Sequence, residues 1–296
     1  MDSAGWLPKP NNLFFDMILQ MSLLMLLVMT NDIPLQQIFI PLFIIPALLF
    51  KKVRNSLLFW LILLFYLLYF YVFMGTNRYV PNHKYLYVFY ILLLCIIIYI
   101  KKSTNDWFEI LKTSAQYMIG FVFLLATVGK FLAPEFLNGS FFEFTLLTDE
   151  RFSGFTQSIV GIQNSDLNIG FEEFNKLLRS NSLSHEAQLP TSEKLHFISI
   201  FLSYWTILIE GSIAITFLSP AKSFGGKYRN WVLLIFIITT YPIATVPGFA
   251  ILLTLLAFIT SKSDTRPNVW SYVYIGIFII IPIFKFPFLA ALKILN

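Results

Sequence analysis

The sequence predicts an all-α fold, a polytopic bundle of about eight transmembrane helices, and three observations predict it. Of 296 residues, 57% are hydrophobic and only 12% are charged, about half the charge that a water-facing globular surface carries. The apolar residues are gathered into runs that approach the ~20 residues a helix needs to cross the hydrocarbon core. Lysine and arginine gather after alternate runs, the pattern that short cytoplasmic loops impose.

The runs fall near 13–29, 33–50, 57–74, 86–100, 114–132, 195–218, 231–260 and 271–295. The first is a retained span and not a cleaved signal, because it holds Asp16 and Gln20 and no small-residue cleavage site follows. The fourth is short as drawn and begins earlier, around Tyr85. The seventh is too long for one straight span and contains Pro242 and Pro247. Each proline removes a backbone donor, so a kinked span or a re-entrant hairpin is expected there.

Lys51, Lys52 and Arg54 follow run two, Lys101, Lys102 and Lys112 follow run four, and Lys222, Lys227 and Arg229 follow run six. These clusters put the N-terminus in the cytoplasm and segment 133–194 outside, against a weaker opposing signal from Arg78 and Lys84. The side of the C-terminus depends on the seventh run. Trp107, Trp231 and Trp270 stand at span ends, where interfacial tryptophans belong. The chain is thus a single integral membrane domain, 1–296, with 133–194 as an extracytoplasmic insertion.

That insertion carries nine acidic and four basic residues within a chain whose net charge is +5. It is read as mostly irregular, with one short amphipathic helix in which Phe171, Phe174, Leu177 and Leu178 share a face opposite Glu172, Glu173, Asn175 and Lys176. The helix is placed on the membrane surface or over the bundle. An acidic segment of this kind suits a basic secreted peptide or a membrane-protein partner.

The composition excludes other classes. The single cysteine, Cys95, lies in an apolar run, so no intramolecular disulfide and no thiolate cluster can form. Walker, GxSxG, HExxH and dinucleotide fingerprints are lacking. His83, His185 and His196 lie in separate outer segments, so no metal site is expected. The basic residues are loop anchors and not a stripe interleaved with aromatics, which argues against nucleic acid.

Ionisable groups inside apolar spans are costly and are the first functional candidates. They are Asp16, Lys130, Glu210 and Lys285. Asp16 is near the start of its span, where water or headgroups reach it. Glu210 and Lys285 lie roughly 21–23 Å below the outer ends of their spans by helical rise, so a structural ion pair between them is expected. Lys130 lies at the outer end of run five, within ATVGKFLAPEFLNGSFF, from where it can snorkel to the headgroups. The same rise puts Glu210 too deep to pair with it and leaves Glu135 and His196 as its near-surface neighbours. Asn138-Gly139-Ser140 forms a glycosylation sequon.

The stretch ATVGKFLAPEFLNGSFF, followed by YWTILIEGSIAITFLSP and YPIATVPGFAILLTLLAF, resembles in order and spacing the membrane domain of the vitamin K-dependent γ-carboxylase-like (HTTM) superfamily. The resemblance covers about residues 114–260. It implies that Lys130 stands where the carboxylases carry the lysine base that acts on reduced vitamin K, and that Glu210 takes the acidic position of the following helix. It departs at Tyr241, where such proteins often carry histidine, and the large extracytoplasmic carboxylase domain has no counterpart here. Small bacterial relatives of the superfamily include proteins that help to mature or export secreted peptides and others with no known role, and the Phe, Ile, Lys and Asn bias points to a bacterial cytoplasmic (inner) membrane.

Two functions follow, with a third behind them. The first is a membrane-embedded enzyme acting on or with a lipid-soluble, quinone-like ligand, with Lys130 as base and Glu135, Asn138, His196 and Tyr241 as ligand-binding or relay residues. The second is a non-catalytic accessory or maturation factor that holds a partner through 133–194. The third is a small-solute transporter using Asp16, Glu210 and Lys285.

Overall fold

The structure is a computed structural model that describes residues 10–29, 34–73, 82–179, 189, 191–244, 246–261 and 268–283. The described residues contain helices and no strand. In chain order these are α1 (Pro10–Met29), α2 (Pro34–Leu49), α3 (Lys51–Arg54), α4 (Leu57–Leu68) with a π-helical extension Tyr69–Phe73, α5 (Asn82–Ile100), α6 (Trp107–Phe131), α7 (Pro134–Leu137) and α8 (Ser140–Thr148). After a 3-10 turn at Glu150–Phe152 come α9 (Ser153–Phe155), a π-helical turn Thr156–Val160, α10 (Asn164–Arg179), α11 (Glu193–Leu218), α12 (Phe224–Thr240), α13 (Pro247–Ser261) and α14 (Val269–Ile283).

Three helical stretches, His83–Ile100, Trp107–Phe131 and Glu193–Leu218, are long and apolar enough to cross a membrane. The other apolar helical stretches, Asn12–Val28, Gln37–Leu49, Leu57–Phe73, Pro247–Ser261 and Val269–Ile283, are shorter. The full eight spans of the sequence reading are therefore not seen among the described residues. Large apolar side chains such as Leu58, Phe65, Leu125 and Ile215 stand exposed, a surface suited to lipid and unfavourable in water.

The chain divides into two compact units, one of Met1–Gln116 with Pro247–Asn296 and one of Tyr117–Val246. The first is organised on α13, in which every residue from Ala250 to Ser261 is buried, as expected of a helix that is apolar all round. Phe14 stacks on Phe258 with ring centroids 4.7 Å apart, and the Ser261 and Ser271 hydroxyls meet at 2.8 Å to tie α13 to α14. Ser22 Oγ donates to the Ile18 carbonyl, so the Tyr90 hydroxyl, 2.7 Å away, is the donor in the bond between them. Asp16 is paired, both its oxygens accepting from the Arg54 guanidinium at 2.9 Å. Trp107 is likewise buried, packed on Phe15 with centroids 5.0 Å apart.

In the second unit α7, α8 and α12 pack around α11 and α10 packs on α8, while α6 meets α11 at Gly120 and Thr127. Its core includes Phe136, Phe142, Leu146, Leu147, Leu167, Leu195 and Leu202. Segment 133–194 is thus mainly helical between Pro134 and Arg179, not irregular. Its helices α7, α8 and α9 have four, nine and three residues, too short for a periodic apolar face to show in the sequence. The amphipathic helix is present as α10 and begins earlier than expected, at Asn164. Gly170 lets it lie directly on the Leu147 carbonyl, where a Cβ would fall only 2.2 Å from the oxygen.

The seventh run is broken. It gives α12, ending at Thr240, and α13, beginning at Pro247, and the two halves belong to different units. Pro242 has no amide to continue α12, and Pro247 takes the first position of α13, where a missing donor costs nothing.

Candidate functional site around Lys130 and Glu210

Lys130 is carried by the last turn of α6 and Glu210 by the middle of α11. The lysine Nζ donates to Glu210 Oε2 at 2.5 Å, with the two side chains 21% and 11% exposed. The same ammonium lies 5.5 Å from the centre of the Phe136 ring. Its charge therefore meets a carboxylate on one side and an aromatic face on another. This corrects the expectation that Lys130 snorkels outward and that Glu210 is too deep to reach it.

The reason is visible in how α6 and α11 run past each other. Gly120 is set against Leu218, and Gly211 against Thr127, so the helices are antiparallel and in step. Beyond Phe131 the chain turns at Ala133, and α7 and α8 take over the same course: Gly139 lies on Ile200, and Glu143 bonds the His196 ring nitrogen. The N-terminal half of α11 thus extends past the end of α6, beside α7 and α8. Counting both helices from a common surface misplaced the lysine. The expected partner Lys285 lies outside the described residues.

The other sequence candidates are dispersed. Glu135 is exposed on α7, and its carboxylate has no partner among the described residues. Asn138 caps the turn between α7 and α8, its Oδ1 accepting from the Ser140 amide at 3.0 Å and hydroxyl at 2.8 Å. His196 is engaged with Glu143. Tyr241 follows the end of α12, its ring against Phe236, and its buried hydroxyl has no protein partner. The transport route gains no support, since Asp16 is held by Arg54 and Glu210 by Lys130.

An open apolar groove of about 560 Å³ runs along α11 from Phe197 to Leu208, with Phe131 on one side. Neither Lys130 nor Glu210 lines it, and Leu208, two residues before Glu210, is turned about 160° from it around α11. Phe201, Tyr204 and Trp205 line it, and the Trp205 indole is fixed by donating to Thr239 Oγ1 at 3.3 Å. A flat apolar molecule suits this lining. Among the described residues no group of histidine, cysteine and acidic side chains is placed to hold a metal ion.

Sequence reasoning missed Glu143 and the serines Ser199 and Ser203. Both serines precede Glu210 on its own face of α11, a signal that helical spacing alone could have supplied.

No family model, curated protein or solved structure matches the chain.

Proposed function

We propose that this is a membrane-embedded enzyme in which Lys130, partnered by Glu210, exchanges a proton with a lipid-soluble, quinone-like ligand. The observation that carries the reading is the 2.5 Å contact between Lys130 Nζ and Glu210 Oε2, held between two apolar helices. Moving one proton across that contact converts the ion pair to a neutral amine and carboxylic acid. Apolar surroundings lower the cost of the neutral pair relative to the charged one. The neutral amine has a lone pair with which to take the proton of an acidic hydroxyl, becoming an ammonium, and Glu210 restores the ion pair by releasing its own proton to water. The HTTM resemblance, which puts the base lysine of the carboxylases at Lys130, supports the same assignment. Segment 133–194 faces outward in this reading, and the membrane is the bacterial inner membrane.

The test is to purify the protein in mild detergent, extract its lipids for mass spectrometry, and titrate it with a short-chain quinone followed by Trp205 fluorescence. The wild type should carry or bind the quinone, and Lys130→Met should lose turnover of the reduced form while staying folded. A wild type that neither carries nor binds a quinone overturns the reading.

A second reading, an accessory factor that holds a basic secreted peptide, is favoured by the ordered helices between Pro134 and Arg179 in an acidic segment. Deletion of 164–179 should then abolish partner capture while Lys130→Met leaves it intact.

A further inference from the structure

Ser199 and Ser203 are both fully buried on α11, and neither hydroxyl has a hydrogen-bond partner among the described residues. Their neighbour Thr206 on the same helix bonds back to the Leu202 carbonyl at 2.7 Å, as Ser212 does to Leu208. That local bond is the usual resort of a hydroxyl in an apolar helix. A buried hydroxyl that forgoes it costs about 1–3 kcal/mol unless something else satisfies it.

At 100° per residue, Ser199, Ser203 and Glu210 fall within about 40° of one another around the helix, with the carboxylate between the two serines. By rise, Ser203 is ~10.5 Å and Ser199 ~16.5 Å from Glu210, toward the N-terminal end of α11. A third hydroxyl stands at the same level. The bond from Trp205 to Thr239 sets α11 and α12 in antiparallel step and brings Tyr241 level with Ser203, and the Tyr241 hydroxyl is also buried and unpartnered.

We infer that these hydroxyls line a narrow file of water that connects the Lys130–Glu210 pair to the N-terminal end of α11. A gap of ~10.5 Å takes about three hydrogen-bonded waters, and unsatisfied buried polar groups are what hold such waters in place. The file supplies or removes the protons that the pair exchanges. Its use rests on the proton-transfer reading above, but its existence is measurable without an activity assay.

The experiment measures water access with silver ion, which travels in water-filled paths and binds thiols. In a Cys95→Ala background, Ser199→Cys, Ser203→Cys and Ile213→Cys are each exposed to Ag+, and blocked thiols are counted by alkylation after denaturation. Ile213 is fully buried on α11 beyond Glu210 and serves as the dry reference. Ser199→Cys and Ser203→Cys should be blocked roughly ten-fold faster than Ile213→Cys, as a continuous water contact requires. Equal rates overturn the inference. Should a cysteine variant fail to fold, radiolytic footprinting of the unsubstituted protein decides: Leu202, buried beside the serines, is oxidised several-fold faster than buried Phe217 if the file exists, and equal protection rejects it. A protein that binds quinone but fails these tests loses the file alone, and one that passes them without binding quinone loses the enzymatic reading alone.

Discussion

Gly139 lies so close to Ile200 that a Cβ on the glycine would come within 2.9 Å of Ile200 Cγ1 and 3.1 Å of its amide nitrogen. The same residue has φ +84°, in the left-handed region that side chains with a Cβ disfavour. It is the position where α8 both begins and touches α11. Gly139→Ala should cost about 2 kcal/mol through the two effects together. Gly154→Ala, with nothing within 4 Å of its Cβ, should be neutral. Thermal unfolding in detergent compares the two directly, and an equal shift would reject the close approach.

Removing one member of the Lys130–Glu210 pair leaves the other charge stranded. Lys130→Met and Glu210→Met should each destabilise by about 3 kcal/mol, and the double substitution should recover most of that loss. A double-mutant cycle on midpoint temperatures reads the coupling. Additive losses would mean that the two groups do not interact.

Arg54 forks Asp16 with Nε and Nη2 and spends Nη1 on the Ala47 and Leu48 carbonyls at 3.0 and 2.9 Å. Its own carbonyl accepts from the Trp60 indole at 2.7 Å. Lysine offers no planar fork, so Arg54→Lys should lose about 2–3 kcal/mol despite keeping the charge. Arg54→Lys as stable as the wild type would show that charge alone is required.

Acid should loosen the turn after α8 through Asp149. Burial pushes its carboxyl up, but the Arg151 guanidinium and the Arg151 amide together outweigh that and hold it below its ordinary value. A carboxylate with a depressed folded pKa stabilises above its unfolded value, and the gain is lost as pH falls through the folded one. Arg151 is half exposed, so screening reduces the gain to roughly half a kcal/mol. Hydrogen exchange at residues 149–153 should rise below the ordinary aspartate range in the wild type, and in Asp149→Asn it should be raised at all pH values.

Helices α1, α5, α6, α10 and α11 were legible because their apolar pattern is long enough to carry its own signature, and the break in the seventh run because proline has no amide to give. The pairings were not legible. Arg54 reads as a loop anchor until α3 turns it back on Asp16. The Lys130–Glu210 contact was hidden because depth was counted from one plane, whereas α11 begins beside α7 and α8. The loose appearance of 133–160 reflects helices shorter than the window in which periodicity can be recognised, held instead by long-range packing onto Leu195 and Leu202.

The step-for-step course of α6, α7 and α8 along α11 has a consequence for the turn at Ala133. Gly120 and Gly139 act like teeth of a zip on either side of the gap, each seated by its own close contact. Neither half can slide to absorb a change in length between them. A residue inserted after Ala133 must unseat Gly139 from Ile200 or draw Lys130 away from Glu210. The length of that turn, more than its composition, sets where the amine meets the carboxylate.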